Sequence, residues 1–280
     1  MSLHIVHIDS LDIPELAPYR TLKRPLEHQQ QGIFIAEGEK VVRRFLESPL
    51  TAISILLTEE WLAEYRPLLE SRKVGNGAEG GKMIKVFVAE KKILESIVGI
   101  NLHQGIMALG KIPVGTILEE ILTRSPRPHC FVALDGITNS ENMGVIVRNC
   151  AAFGVNAIIV GETSCDPYLR RAVRNSMGNV FSIPIIYADN LAESLNKFHR
   201  ESAMRTIAAD PQRSDTPIVR FDFSVDCCLV FGSEGSGISG QVRNACTDAV
   251  MIPMANSVDS LNVASATAVV LYEVMKQRRK

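Results

Sequence analysis

Apolar runs of strand length alternate with amphipathic stretches of helix length along almost the whole chain, and that alternation leaves few folds open. From Cys130 onward the runs are CFVALDG, NAIIVG, SIPIIY, RTIAAD, CCLVFG and AVMIPM. Between and after them the spacing predicts helices from about 142, near 167–175, over 190–202, near 238–246 and over 260–277. Continuous apolar strands separated by such helices predict an α/β domain with a largely parallel sheet, covered on both faces. In the last helix Leu261, Ala264, Ala268, Leu271 and Met275 recur at helical spacing and predict an apolar stripe.

The first part of the chain repeats the alternation on a smaller scale. Strands are expected at GIFIAE, AISILLT, KVFVA and GIMALG, with helices over 37–47, 59–72 and 89–96. The stretch VGNGAEGGK (74–82) reads as a flexible loop. Prolines and scattered charges around a short helix mark KIPVGT…TRSPRPH as a linker. With 280 residues the chain is long enough for two domains, expected at 1–110 and 129–280 with the linker at 111–128.

Composition removes several classes of function. At 46% hydrophobic and 22% charged residues, the chain reads as a soluble globular protein. No apolar run approaches the roughly 20 residues that cross a bilayer. The start, MSLHIVHIDSLD, lacks the basic region and apolar core of a signal peptide, so a cytoplasmic protein is expected. The six cysteines form no C-x-x-C pair and no zinc-like cluster, which predicts small buried hydrophobes and no metal. A net charge of −1 gives no global attraction to nucleic acid. Local candidates are Arg20, Lys23 and Arg24; Arg43 and Arg44; and Arg170, Arg171 and Arg174. Each reads equally as a solvated helix face.

In a parallel α/β sheet, ligands sit beyond the carboxyl ends of the strands, so three polar turns carry the chemistry. In the first, NSENMGVIVRNCAAFG (139–154), Ile146, Cys150 and Phe153 make a buried stripe and Asn142 stands at the helix start. Gly144 precedes Arg148 by one turn on the same face, which would leave backbone and guanidinium open to a ligand. An Asn cap and a surface Arg explain the same residues. The second turn, GSEGSGIS (232–239), lets backbone amides approach a ligand closely and places Glu234 between glycines at a strand end. Its spacing matches neither a P-loop nor a dinucleotide fingerprint, and a bare tight turn is the plain alternative. In the third, IPMANSVDSLNVASA (252–266), Ser257, Ser260 and Asn262 at a helix start suit a carboxylate or phosphate, while Ser260 also suits an N-cap.

Together, in this order and spacing, the three segments resemble the signature motifs of SpoU-type (TrmH-type) RNA methyltransferases of the SPOUT superfamily. The matching residues are Asn142, Gly144 and Arg148; Gly232, Glu234 and Gly235; and Ile252, Pro253, Met254, Ser260, Leu261, Asn262 and Val263. SMGNVFSIP (176–184) is similar to the family's connecting segment, and the likeness covers residues 130 to 275. The chain departs from the pattern at Asn139-Ser140, where Asp-Pro is common, and at Asn256, where Gly is common. GIFIAEGEKVVRRFLE (32–47) and HQGIMAL (103–109) resemble the small L30e-like substrate-binding domain of many members.

The resemblance implies a C-terminal trefoil-knotted methyltransferase domain that holds S-adenosylmethionine in the knot and pairs as a homodimer. It implies methylation of a ribose 2′-hydroxyl in structured RNA, with rRNA favoured by the L30e-like domain. A tRNA substrate, a catalytically silent RNA-binding relative and a Rossmann-type nucleotide-binding enzyme are the alternatives. Cofactor contacts are expected from Gly232, Gly235, Ile252, Met254 and Leu261. Catalytic roles carry over to Arg148, Asn142, Glu234, Ser260 and Asn262. An arginine is effectively never deprotonated, so Arg148 is expected to grip the adjacent phosphate and stabilise the developing oxyanion. The other four would orient the hydroxyl and Arg148.

Overall fold

The computed structural model describes residues 3–72, 84–98, 105–211, 214, 216–255 and 260–279. The glycine-rich stretch 74–82, His103, Gln104, Asn256 and Ser257 lie outside the described residues. In chain order the elements are β1 (His4–Ile8), α1 (Ala17–Arg20), α2 (Pro25–Gln30), β2 (Ile33–Glu37), α3 (Glu39–Glu47), β3 (Ala52–Leu57), α4 (Glu59–Ser71), β4 (Lys85–Ala89), α5 (Lys91–Val98) and β5 (Ile106–Lys111). They continue as α6 (Leu118–Arg124), β6 (Cys130–Asp135), α7 (Ser140–Ala152), β7 (Ala157–Val160), α8 (Arg170–Asn175), β8 (Ile185–Tyr187), α9 (Leu191–Ser202), β9 (Arg205–Ala209), β10 (Cys227–Gly232), α10 (Gly240–Ala245), β11 (Asp248–Val250) and α11 (Val263–Arg278). None of the described helices is long and apolar enough to cross a membrane.

The chain forms two compact units, one of Met1–Val114 with Tyr168–Phe181, the other of Gly115–Pro167 with Ser182–Lys280. The first carries a five-stranded sheet in the order β1-β4-β3-β5-β2. Here the largely parallel arrangement does not extend throughout, because β5 runs antiparallel to both β2 and β3. Apolar periodicity marks a strand without marking its direction, so this reversal leaves no trace in the pattern. Tyr19, Leu56, Phe87 and Met107 lie in its core. Phe34 stacks on Phe181 at 5.2 Å, and Arg170 pairs with the buried Glu37 at 2.8 Å.

The second unit is built on a six-stranded sheet, β11-β9-β10-β6-β7-β8, in which every pairing is parallel. All six residues of β6 are buried, as a strand covered on both faces requires. The 111–128 stretch contributes α6, whose Leu118 and Ile121 are buried in this unit's core with Phe131, Leu195 and Val230. Cys130, Cys150, Cys227, Cys228 and Cys246 are buried and Cys165 is half-buried, so the thiols pack as small hydrophobes.

Strand order sets the place for a ligand. From β6 the chain moves outward to β7 and β8, then crosses to β9 and returns to insert β10 beside β6. The order therefore reverses between β6 and β10, and a crevice opens beyond their carboxyl ends. Asp135 and Gly232 stand side by side at that edge, each closing its strand.

Candidate functional site

Two loops leave the sheet at this switch point, and α7 and α11 begin beside it. Asn139 caps α7, its Oδ1 accepting from the Glu141 and Asn142 amides at 2.8 and 3.3 Å. The capping role open to Asn142 is thus filled three residues earlier, which frees the Asn142 side chain. Its Nδ2 donates to Glu234 Oε1 at 2.5 Å.

At α11 the cap also differs from expectation. Asn262, not Ser260, accepts from the Ala264 and Ser265 amides, at 3.0 and 3.3 Å. The helix begins at Val263, so Ser260 and Leu261 lie ahead of it, both exposed, and Leu261 is no part of the helical stripe. The buried face of α11 is broader than that stripe and includes Val263, Thr267, Val270 and Val274. With its Oδ1 committed to the cap, Asn262 turns its Nδ2 to Glu234 Oε1 at 2.6 Å and to Asn142 Oδ1 at 3.1 Å. Three residues from three separate motifs thus close a hydrogen-bonded triangle.

The loop that carries Glu234 is a tight turn, with Ser233 and Gly237 exchanging two backbone hydrogen bonds at 3.0 Å. Gly237 sits at φ +66°, where a Cβ is strained. A Cβ on Gly232 would lie 2.1 Å from the Gly237 carbonyl carbon, so the turn folds directly over the end of β10. Asp135 anchors the far side, accepting from the Ser239 amide at 2.6 Å.

Two cavities flank this turn and share Ser233–Gly237 and Val263 as a wall. One, of about 290 Å³, has Phe231, Val250, Ile252, Met254, Leu261 and Val270 among its walls. Gly232, Gly235 and Ser260 line it as well, so it gathers all five residues expected at the cofactor. The other is a more open cleft of about 490 Å³, edged by Asp135, Thr138, Asn139, Asn142 and Thr163. Glu234 belongs to both. Charged Asp210 and Arg243 also line the smaller cavity. Sequence reasoning passes over both, although Asp210 directly follows the apolar run of β9, the position where ligand contacts gather.

Arg148 is not part of this cluster. It is exposed, lines neither cavity, and has no hydrogen bond or ion pair among the described residues. Gly144 is buried, so the open face expected of that pair is absent. Six residues beyond Asn142, Arg148 lies about 9 Å further along the helix and points to a different side. Its own side carries Val145 and Ala152, both exposed. The neighbouring α11, joined to α7 by a 2.8 Å bond from Asn149 Nδ2 to the Ala264 carbonyl, presents exposed Val269 and Tyr272.

Most of the basic clusters are neutralised locally. Arg20 pairs with Asp12, Arg24 with Glu27, and Arg43 with Glu39 and Glu64. Arg44 donates to the Met177 carbonyl at 2.6 Å. Lys23 and Arg174 stay exposed.

A family model described as the SpoU rRNA Methylase family matches residues 129–272. An uncharacterized tRNA/rRNA methyltransferase of Mycobacterium tuberculosis is 30% identical over 95% of this chain and 93% of its own. The 23S rRNA (guanosine-2′-O-)-methyltransferase RlmB of Ralstonia nicotianae is 31% identical over 70% of this chain and 78% of its own. Among solved structures, an AdoMet-bound rRNA methyltransferase from Sinorhizobium meliloti superposes with a TM-score of 0.83. It shares 24% identity and covers 99% of this chain and 100% of its own, a likeness of fold.

Proposed function

The chain belongs to the SpoU rRNA methylase family, and from that premise we propose that it transfers a methyl group from S-adenosylmethionine to a ribose 2′-hydroxyl of a structured RNA. The observation that carries this reading is the pair of cavities with Glu234 in their common wall. Methyl transfer needs two reactants held in line, and a shared wall lets a cofactor in one cavity meet a ribose in the other.

The smaller cavity fits the cofactor. Its aromatic and aliphatic walls suit an adenine ring and a thioether chain, and its volume of about 290 Å³ lies at the lower end of ligand pockets. Gly232, Gly235, Ile252, Met254 and Leu261 would hold it. S-adenosylmethionine bound there supplies an electrophilic methyl group with a good leaving group already in place.

The chain's own part is to orient the hydroxyl and stabilise the charge it develops. Glu234, fixed by Asn142 and Asn262, accepts from the ribose hydroxyl and sets its direction, and Ser260 supports the same edge. Arg148 grips the adjacent phosphate and steadies the oxyanion. Because it lies outside its own chain's cluster, it serves the site of a second copy. The pairing surface is the face of α7 and α11 that exposes Val145, Ala152, Val269 and Tyr272, and the active protein is a homodimer. A trefoil knot around the third motif and an L30e-like N-terminal domain that docks the RNA complete the reading, for a protein acting in the cytoplasm.

An rRNA substrate is favoured by the 31% identical relative that bears that activity in its name. Mapping 2′-O-methyl sites by mass spectrometry in rRNA and tRNA from a deletion strain tests this. Loss of one rRNA site supports it, loss of a tRNA site redirects it, and unchanged RNA favours a silent RNA-binding relative.

A further inference from the structure

Away from the wall that holds Glu234, the cavity assigned to the cofactor also contains an ion pair whose contacting atoms are buried. Asp210, immediately after β9, has a side chain only 7% exposed, with its Oδ2 2.8 Å from Arg243 Nε. Both residues line the cavity. Arg243 is anchored in turn, its Nη2 donating to the Ile238 carbonyl at 3.0 Å. The Asp210 amide donates to the Val250 carbonyl at 3.0 Å, which pins the residue between β9 and β11. Neither residue belongs to a family motif in this chain, and neither takes part in the triangle at Glu234.

A buried ion pair is a poor way to stabilise a fold, because desolvating both charges offsets their attraction. Its place in a ligand wall suggests a recognition role. We infer that the Asp210 carboxylate, braced by Arg243, receives the vicinal 2′- and 3′-hydroxyls of the cofactor's own ribose. This inference rests on the reading of the cavity as the adenosyl site.

The choice among the cofactor's groups follows from charge and position. The sulfonium and its methyl must face the wall shared with the cleft, where Glu234 stands. Asp210 and Arg243 border only the cavity on the far side of that wall. The amino-acid end needs a cation for its carboxylate, and here Asp210 and the Ile238 carbonyl already engage the guanidinium. Adenine is satisfied by apolar walls and backbone groups. The diol is neutral and donates two hydrogen bonds, which a carboxylate braced by a guanidinium accepts well.

Calorimetry on the full chain tests this with S-adenosylhomocysteine and its 2′-deoxy and 3′-deoxy analogues. Wild-type protein should bind each analogue at least about tenfold more weakly than the parent. Asp210→Asn should weaken the parent by a similar factor and the analogues by no more than about threefold, because the lost interaction is the same one. Equal binding of parent and analogues by the wild type overturns the inference. So does an equal loss for all three ligands in Asp210→Asn, which marks a purely structural role. If the variant does not fold, as its circular dichroism would reveal, Asp210→Glu repeats the comparison and the wild-type series decides alone. Failure of the wild type to bind S-adenosylhomocysteine at all overturns the cofactor reading and this inference with it. Binding that ignores the diol overturns this inference only.

Discussion

Asn142 and Glu234, 92 residues apart, meet in a hydrogen bond of 2.5 Å, and Asn262 donates to the same Glu234 oxygen at 2.6 Å. Both bonds depend on capping elsewhere: Asn139 relieves Asn142 of that task, while Asn262 performs it with the opposite end of its amide. Asn142→Ala and Glu234→Ala should each lower methyl transfer by about a hundredfold, the scale of losing one preorganised polar group at a reacting centre. Because the two act as a unit, the double variant should be scarcely worse than the weaker single one. Single-turnover assays read this directly. Stability should change by no more than about 0.5 kcal/mol, since the side chains lie at the surface.

Gly232→Ala tests the turn. The added Cβ would meet the Gly237 carbonyl carbon at 2.1 Å and the Ile238 nitrogen at 2.3 Å, and both belong to backbone that has little room to yield. Destabilisation of about 1–3 kcal/mol is expected, with weakened S-adenosylhomocysteine binding. A thermal melt and calorimetry that both match wild type would contradict the close approach.

Arg148 separates a shared site from a self-contained one. Arg148→Ala should leave S-adenosylhomocysteine affinity intact and cut transfer by about a hundredfold, and Arg148→Lys should recover little, lacking the planar fork. Mixing inactive Arg148→Ala with inactive Glu234→Ala should restore activity, because a mixed dimer holds one complete site. No recovery on mixing, with subunit exchange verified, would place Arg148 in its own chain's site.

Acid stability should depend on Asp248. Hydrogen bonds from Arg205 at 2.5 and 2.9 Å, joined by Thr247, hold its carboxyl below the ordinary value of 3.8 against the opposing effect of burial. A group whose pKa is lower folded than unfolded adds stability above the unfolded value and loses it as pH falls through the folded one. Asp248→Asn should cost about 1–2 kcal/mol at neutral pH, and the penalty should fade in acid as the folded carboxyl becomes protonated. Urea titrations at neutral and acid pH, compared between variant and wild type, check both the size and the sign.

The second unit's strands were legible because each carries an apolar run, fully buried in β6 and β7, although β11 ends at Val250 and leaves most of AVMIPM outside the strand. By contrast, β1 is a half-buried edge strand whose HIVHI carries two histidines, and its apolar signal is correspondingly thin. Motif residues scattered over 120 positions could be collected by their likeness to a family, and the structure places Asn142, Glu234 and Asn262 within hydrogen-bonding reach. Which asparagine caps a helix was not legible, since Asn139, Asn142, Ser260 and Asn262 all suit a helix start and backbone geometry decides. Asp210 and Arg243 stay hidden because only the folding of β9 beside β10 and β11 brings them to one wall.

Alkaline hydrolysis of RNA labelled by the protein reads the site of methylation most directly. A phosphodiester breaks in alkali only when the neighbouring 2′-hydroxyl is free to attack it, so a methyl on that oxygen protects the bond. With radiolabelled S-adenosylmethionine and ribosomal RNA from a deletion strain, label should appear in alkali-resistant dinucleotides. Label recovered wholly in mononucleotides would mean methylation of a base, and would contradict ribose 2′-O-transfer.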